Sequence, residues 1–200
     1  IFPQAIFVYV YRDPRESLAG MLEGWQSGKH VTYPDLPEWD GPPWSYPLTP
    51  EWRALQGKSL PEVCVSQWTM TMRILLGDLE KLPPDRWCVV DFSALRSDPK
   101  AELRRVCEFT GLEWSESLGG GIGRGALETW RRREAEVEQV IAETKELDAR
   151  ARGLIAEPPR AKRQGPVDPN SPTESPLRSV NSSNLADILD QLGSSLLVST

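Results

Sequence analysis

The residues best equipped for chemistry lie between positions 12 and 20. Arg12 ends an apolar run and is followed by Asp13-Pro14-Arg15-Glu16. Its planar guanidinium suits bidentate contact with a phosphate or a carboxylate. Asp13 is a helix N-cap type, Pro14 fits the first helical position, and Glu16 falls three residues after the cap, so a helix opens here. In open parallel α/β sheets, ligands sit beyond the carboxyl ends of the strands, where a helix N-terminus offers free N–H groups to an anion. Arg12 is therefore a candidate anion-binding residue. A surface ion pair is the alternative for an arginine at a strand end.

Two elements must position it. Residues 5–11 form an unbroken apolar, β-branched and aromatic run without alternation, which predicts a short strand buried on both faces. Leu18, Met21, Leu22 and Trp25 then recur at i, i+3, i+4 and i+7 and give the following helix one apolar face.

Tyr11-Arg12-Asp13-Pro14-Arg15 resembles a segment of the sulfotransferase family. There, strand, Arg-Asp-Pro-Arg and helix hold the 3′-phosphate of PAPS (3′-phosphoadenosine 5′-phosphosulfate). The resemblance implies that Arg12 grips that phosphate. A serine eight positions later usually adds a hydroxyl, but Gly20 stands there, with Ser17 one turn earlier as a substitute. A second resemblance covers residues 92–114: Asp98-Pro99 and Phe109-Thr110-Gly111-Leu112 match the family, whereas Phe92-Ser93-Ala94-Leu95 replaces its acidic Tyr-Glu-Asp-Leu. The glycine-dense stretch 119–125 reads as a flexible linker or, by resemblance, as the family's C-terminal loop over PAPS. In the second reading Arg124 contacts the phosphate, with Arg131 as the weaker candidate.

Composition narrows the class. Of 200 residues, 39% are apolar and eight are Trp, enough for a real core in one or two domains. A net charge of −6 argues against nucleic acid as a partner, but leaves room for one cationic pocket. No apolar run reaches the length of a membrane span and no leader pattern opens the sequence, so no membrane partner and a cytoplasmic location are expected. Cys64, Cys88 and Cys107 are widely spaced among apolar neighbours and read as reduced core residues. His30 is the sole histidine, so no zinc ligand set is expected. It lies in an aromatic loop and is not assigned the role of base.

Further along, residues 28–58 are rich in Pro, Trp and Tyr without helical or strand period, which suggests an ordered lid. A helix is expected over 61–82, with Cys64, Trp68, Met72, Leu75, Leu79 and Leu82 on one face and Pro83-Pro84 ending it. Residues 87–92 read as a second buried strand. Asp98-Pro99 opens a helix with Leu103, Val106, Cys107 and Thr110 inward, stopped by Gly111. Residues 126–154 predict one helix, with Leu127, Trp130, Val137, Ile141, Leu147 and Ala151 as its buried stripe. Prolines over 157–176 mark a linker. Residues 184–192 read as a short amphipathic helix. Residues 179–200 resemble the opening of an uncharacterised bacterial domain family found fused to sulfotransferases. The expected domains are therefore 1–155, a linker over 156–178, and the start of a second domain over 179–200. Both ends read as cut.

Taken together, the resemblances imply an α/β fold of the P-loop-like, three-layer kind with a parallel sheet, incomplete at its N-terminus. They imply transfer of a sulfuryl group from PAPS, as co-substrate, to a hydroxyl or amine of a small-molecule, carbohydrate or peptide acceptor. No Pro-Lys-Ser/Thr-Gly-Thr-Thr loop for the 5′-phosphosulfate is present, and the catalytic groups are expected upstream of Ile1. Two other readings stay open: a nucleotide-dependent kinase of P-loop type, and a catalytically inactive interaction module. The sequence does not specify the oligomeric state.

Overall fold

The apolar run before Arg12 is a strand, and its partner comes from far along the chain. In the computed structural model, which describes residues 5–116, 118 and 129–156, the elements run β1 (Phe7–Tyr11), α1 (Pro14–Ser27), β2 (Val31–Tyr33), β3 (Trp44–Ser45), α2 (Leu60–Leu79), β4 (Trp87–Asp91), α3 (Phe92–Ser97), α4 (Pro99–Thr110), α5 (Glu134–Val140) and α6 (Lys145–Ala156). Single 3₁₀ stretches occupy Trp52–Leu55, Thr129–Arg133 and Ile141–Thr144. β1 pairs with β4 in parallel, from Phe7 opposite Trp87 to Tyr11 opposite Asp91.

Helices cover both faces of that pair. Tyr9, Tyr11, Trp87 and Val89 point into a core shared with α1, α2, α5 and α6. Val90, with Val8 and Val10 packed beside it, points into a second core of Leu95, Leu103, Val106 and Leu118. The result is helix, parallel strands, helix: the three-layer α/β arrangement expected, consistent with a P-loop-like fold though small. β1 departs from full burial. Phe7, at the start of the strand, is 50% exposed, and Val8 and Val10, on the face of the second and smaller core, are half-buried.

Capping chemistry fixes the helix starts. The Asp13 carboxylate accepts the Arg15 N–H at 2.9 Å, and Gly28 closes α1 in the left-handed region at φ 66°. Asp98 accepts the Ala101 N–H at 3.1 Å at the start of α4, and Gly111 (φ 74°) ends it. Asp91 caps α3 by accepting the Ser93 N–H at 2.8 Å. That cap ends β4 one residue early and turns Phe92, expected in the strand, into the first residue of a helix. Similarly, α2 stops at Leu79 and not Leu82. Lys81 and Leu82 donate to carbonyls three residues back, a tightened last turn before Pro83, whose ring disfavours α geometry in the residue preceding it.

The single helix expected over 126–154 is broken in its described part. Thr144, buried, donates its hydroxyl to the Ile141 carbonyl at 2.8 Å in the 3₁₀ turn between α5 and α6. Val137, Val140, Leu147 and Ala151 stay buried on either side of the break. The loop over 28–58 is ordered, as expected, but it carries the antiparallel pair β2 and β3 and is built into the core. Trp44 is fully buried and meets Trp25, Trp39 and Trp52 edge to face. Gln67 of α2 donates to the carbonyl of Ser45 at 3.0 Å and accepts from the Trp25 indole at 2.9 Å. The three cysteines are free and buried. No helix among the described residues is long and apolar enough to cross a membrane. The linker, the short helix over 184–192 and the second domain all lie outside the described residues.

Candidate functional site

Arg12 leaves β1 and packs back along α1. Its side chain is 15% exposed, lies 3.3 Å from Glu16 one turn into the helix, and sits over the Phe92 ring at 5.3 Å. Burial pushes the pKa of the guanidinium down while Glu16 opposes that shift. Arginine nonetheless stays charged, so this is a partly desolvated cation, the kind that gains most from an anion.

Beside it the helix is hollow. Among the described residues, a Cβ added at Gly20 would meet only Arg12 Nη1, at 3.8 Å. The hollow belongs to a cleft of about 810 Å³ that runs along α1 past Ser17, Gly20, Glu23 and Gly24. It is also lined by Lys29, His30 and Tyr46, together with Arg132 and Arg133 of the 3₁₀ stretch Thr129–Arg133 and Glu136 of α5. Among the described residues, four side chains that are cations at neutral pH thus share the cleft with two carboxylates, in a chain whose net charge is −6.

The wall is set by one turn further along α1. Tyr46 adopts a left-handed backbone conformation (φ 66°) that returns its ring to the helix. There its hydroxyl donates to the Gly20 carbonyl at 3.3 Å, and its N–H donates to the His30 carbonyl at 2.9 Å. A Cβ at Gly24 would stand 1.8 Å from that hydroxyl and 2.8 Å from His30 Cδ2, so only glycine admits the pair. His30 stacks on Tyr46, centroids 5.0 Å apart and planes 21° from parallel. Burial raises the Tyr46 phenol to about 12.

Of the residues singled out in the sequence, Arg12, Ser17 and Gly20 come together in this cleft. Ser17 is spent on the helix: its hydroxyl is buried and donates to the Asp13 carbonyl at 3.1 Å. Arg124 lies outside the described residues. The Arg131 guanidinium lies over the Trp130 ring at 5.1 Å, and it is the next two arginines that line the cleft. Lys29, His30, Tyr46, Arg132 and Arg133 were not foreseen as site residues. The consecutive Arg131-Arg132-Arg133 was a legible signal for the last two; nothing local announces that Tyr46 and His30 return to α1.

The 3₁₀ stretch Thr129–Arg133, α5 and α6 are tied to β1, α1 and the turn between them at several points. Tyr11 donates to Asp148 at 2.7 Å, Arg152 bridges Asp148 and Asp13 at 2.9 Å each, and Arg15 pairs with Glu138 at 2.7 Å. Arg133 reaches Gln26 of α1 and pairs with Glu136 at 3.0 Å.

The strand, the Arg-Asp-Pro-Arg turn and the helix that the sequence resemblance implied are present as β1, residues 12–15 and α1. The sulfotransferase family model matches residues 1–116. The chain belongs to the sulfotransferase family. No curated protein and no solved structure matches it. As a sulfotransferase it is a transferase of sulfuryl groups, and the kinase reading falls away. The match ends before Arg132, Arg133 and Glu136, so this sulfotransferase completes its cleft with residues beyond the matched part. The family generally uses PAPS as donor, and the donor set here fits the phosphate end of such a group. Among the described residues, Arg12 Nη1 borders space that no side chain fills and three further cations lie on the same cleft, and the volume is within the usual range for ligand sites.

Proposed function

We propose that the cleft along α1 receives the 3′-phosphate of PAPS, and that the protein passes the sulfuryl group to a hydroxyl or amine of a small-molecule, carbohydrate or peptide acceptor. The observation that carries this reading is Arg12, 15% exposed and held beside the hollow at Gly20. PAPS, when bound, supplies the sulfuryl group. Arg12 supplies the charge-assisted hydrogen bonds that fix the phosphate, a role Glu16 partly fills in the ligand-free protein. Lys29, Arg132 and Arg133 add long-range attraction and draw an anion toward the cleft. Ser17, committed to the Asp13 carbonyl, contributes to the helix start and supplies no hydroxyl to the hollow at Gly20. None of these side chains is assigned as the base that accepts the acceptor's proton. Three free buried thiols support a reducing, cytoplasmic setting.

The test is discrimination by the 3′-phosphate alone. In calorimetric titrations of the chain, PAP (adenosine 3′,5′-bisphosphate) should bind more tightly than 5′-AMP by the worth of a charge-assisted contact, about 1.5–3 kcal/mol. Equal affinities would remove the 3′-phosphate from the cleft.

A further inference from the structure

We propose that a second pocket, walled by α1, the loop over 28–58 and the start of α2, binds an uncharged saccharide ring. It shares no lining residue with the cleft along α1, and the inference stands independently of the phosphate reading.

The pocket encloses about 340 Å³, at the small end of the usual range for ligand sites. Its apolar walls are the indoles of Trp25 and Trp39 with Leu60 and Val63. Both indole N–H groups are already used: Trp25 Nε1 donates to Gln67 at 2.9 Å and Trp39 Nε1 to the Pro42 carbonyl at 2.7 Å. The two rings therefore offer carbon surface alone. Trp25 is buried and Trp39 half-buried, so Trp39 is the ring that a ligand meets. It is held from several sides. Trp44 and Trp52 meet it edge to face, and a Cβ at Gly41 would stand 2.4 Å from its ring, so glycine lets the backbone lie against the indole. A ligand finds this wall in place and spends little on ordering it.

The polar lining comes from Asp40, Gln56 and Lys58, all exposed. A carboxylate accepts, an ammonium donates, and an amide does both. These groups are braced: Gln56 Oε1 accepts the Asp40 N–H at 3.3 Å, and Lys58 lies 3.3 Å from Glu62, which also accepts the Ser59 N–H at the start of α2. Opposite charges on Asp40 and Lys58 favour a ligand without net charge. Hydroxyl groups donate and accept at once and match such a set. The C–H face of a pyranose, weakly positive, suits the electron-rich face of an indole. A purely apolar ligand would strip water from the polar groups and return no hydrogen bond. A proline-rich peptide, which also favours aromatic-lined grooves, is the competing occupant.

The test titrates the chain with the methyl glycosides of glucose, galactose, mannose and N-acetylglucosamine while the tryptophan indole N–H resonances are followed. Tetrahydropyran, hexaproline and inorganic sulfate serve as comparison probes. At least one glycoside should shift the Trp39 signal, assigned by its loss in Trp39→Phe, and should do so saturably. Tetrahydropyran, the same ring without hydroxyls, and sulfate should leave that signal in place. Asp40→Ala and Gln56→Ala, both at exposed positions, should each weaken the glycoside about fivefold, the worth of one hydrogen bond. Lack of saturable binding by all four glycosides would overturn the proposal. So would an equal response to tetrahydropyran, a glycoside affinity that either variant leaves intact, or a shift produced by hexaproline alone.

Discussion

At the scale of single residues, the position that decides most is one without a side chain. Gly20 sits where the family usually has a serine, and the only atom of the described residues that a Cβ would meet there is Arg12 Nη1 at 3.8 Å. A serine hydroxyl would thus project into the hollow beside the guanidinium. Gly20→Ser should tighten PAP by about 0.5–1.5 kcal/mol, the net size of one neutral hydrogen bond, and should also stabilise α1 through better helix propensity. A stabilised fold with unchanged PAP affinity would show that the hollow is not where the phosphate lies. Tyr46 makes a second residue-scale prediction. Burial raises its phenol to about 12, above the ordinary 10. A raised folded-state pKa means that the neutral form is favoured by folding, so this contribution is complete below pH 10 and fades as pH rises from 10 through 12. Urea unfolding across that window should show a loss of stability that Tyr46→Phe reduces. An identical slope in the variant would mean that the phenol is solvated.

At the scale of elements, α6 is fastened to the β1–α1 turn by contacts of unequal worth. The Tyr11 phenol is buried and donates to Asp148 at 2.7 Å, whereas the Arg152 side chain is 52% exposed. Removing the acceptor of a buried donor costs about 1.5–3 kcal/mol when the bond is to a charged group; an exposed ion pair is worth at most about 1 kcal/mol. Asp148→Ala should therefore lower unfolding stability clearly more than Arg152→Ala does, and equal losses in urea titrations would show that Tyr11 finds another partner. How far these elements could be read in the sequence depended on whether their signals were local. The start of α1 at Asp13-Pro14 and the bounds of α4 between Asp98 and Gly111 were legible, because caps act within a turn. The end of β4 was missed, since Phe92 is as good a strand residue as a helix one and the deciding group is the Asp91 cap. The break at Ile141–Thr144 was hidden because apolar spacing continues through it. In the site, Arg12 and Gly20 stood out from a nine-residue stretch. Arg133 is placed there by packing against Gln26, across more than a hundred residues of chain, and the return of Tyr46 depends on a notch at Gly24.

At the scale of the whole molecule, an acidic chain gathers Arg12, Lys29, Arg132 and Arg133 on one cleft, and the elements that hold them come from both ends of the described fold. Binding and turnover need different parts. Sulfuryl transfer requires groups placed where charge develops between donor and acceptor, and no stretch of the 200 residues matches the family's loop for the 5′-phosphosulfate. With radiolabelled PAPS and a broad panel of acceptors, the 200-residue chain should bind without transferring label; labelled product would mean that a catalytic set exists among residues to which no such role is assigned here. The most direct test of the central claim is simpler. PAP is titrated calorimetrically into the chain and into its Arg12→Ala variant, with folding of both checked by circular dichroism. The account predicts that the variant loses about 1.5–3 kcal/mol of PAP binding, roughly 10- to 150-fold in affinity; PAP bound equally well by both proteins would contradict it.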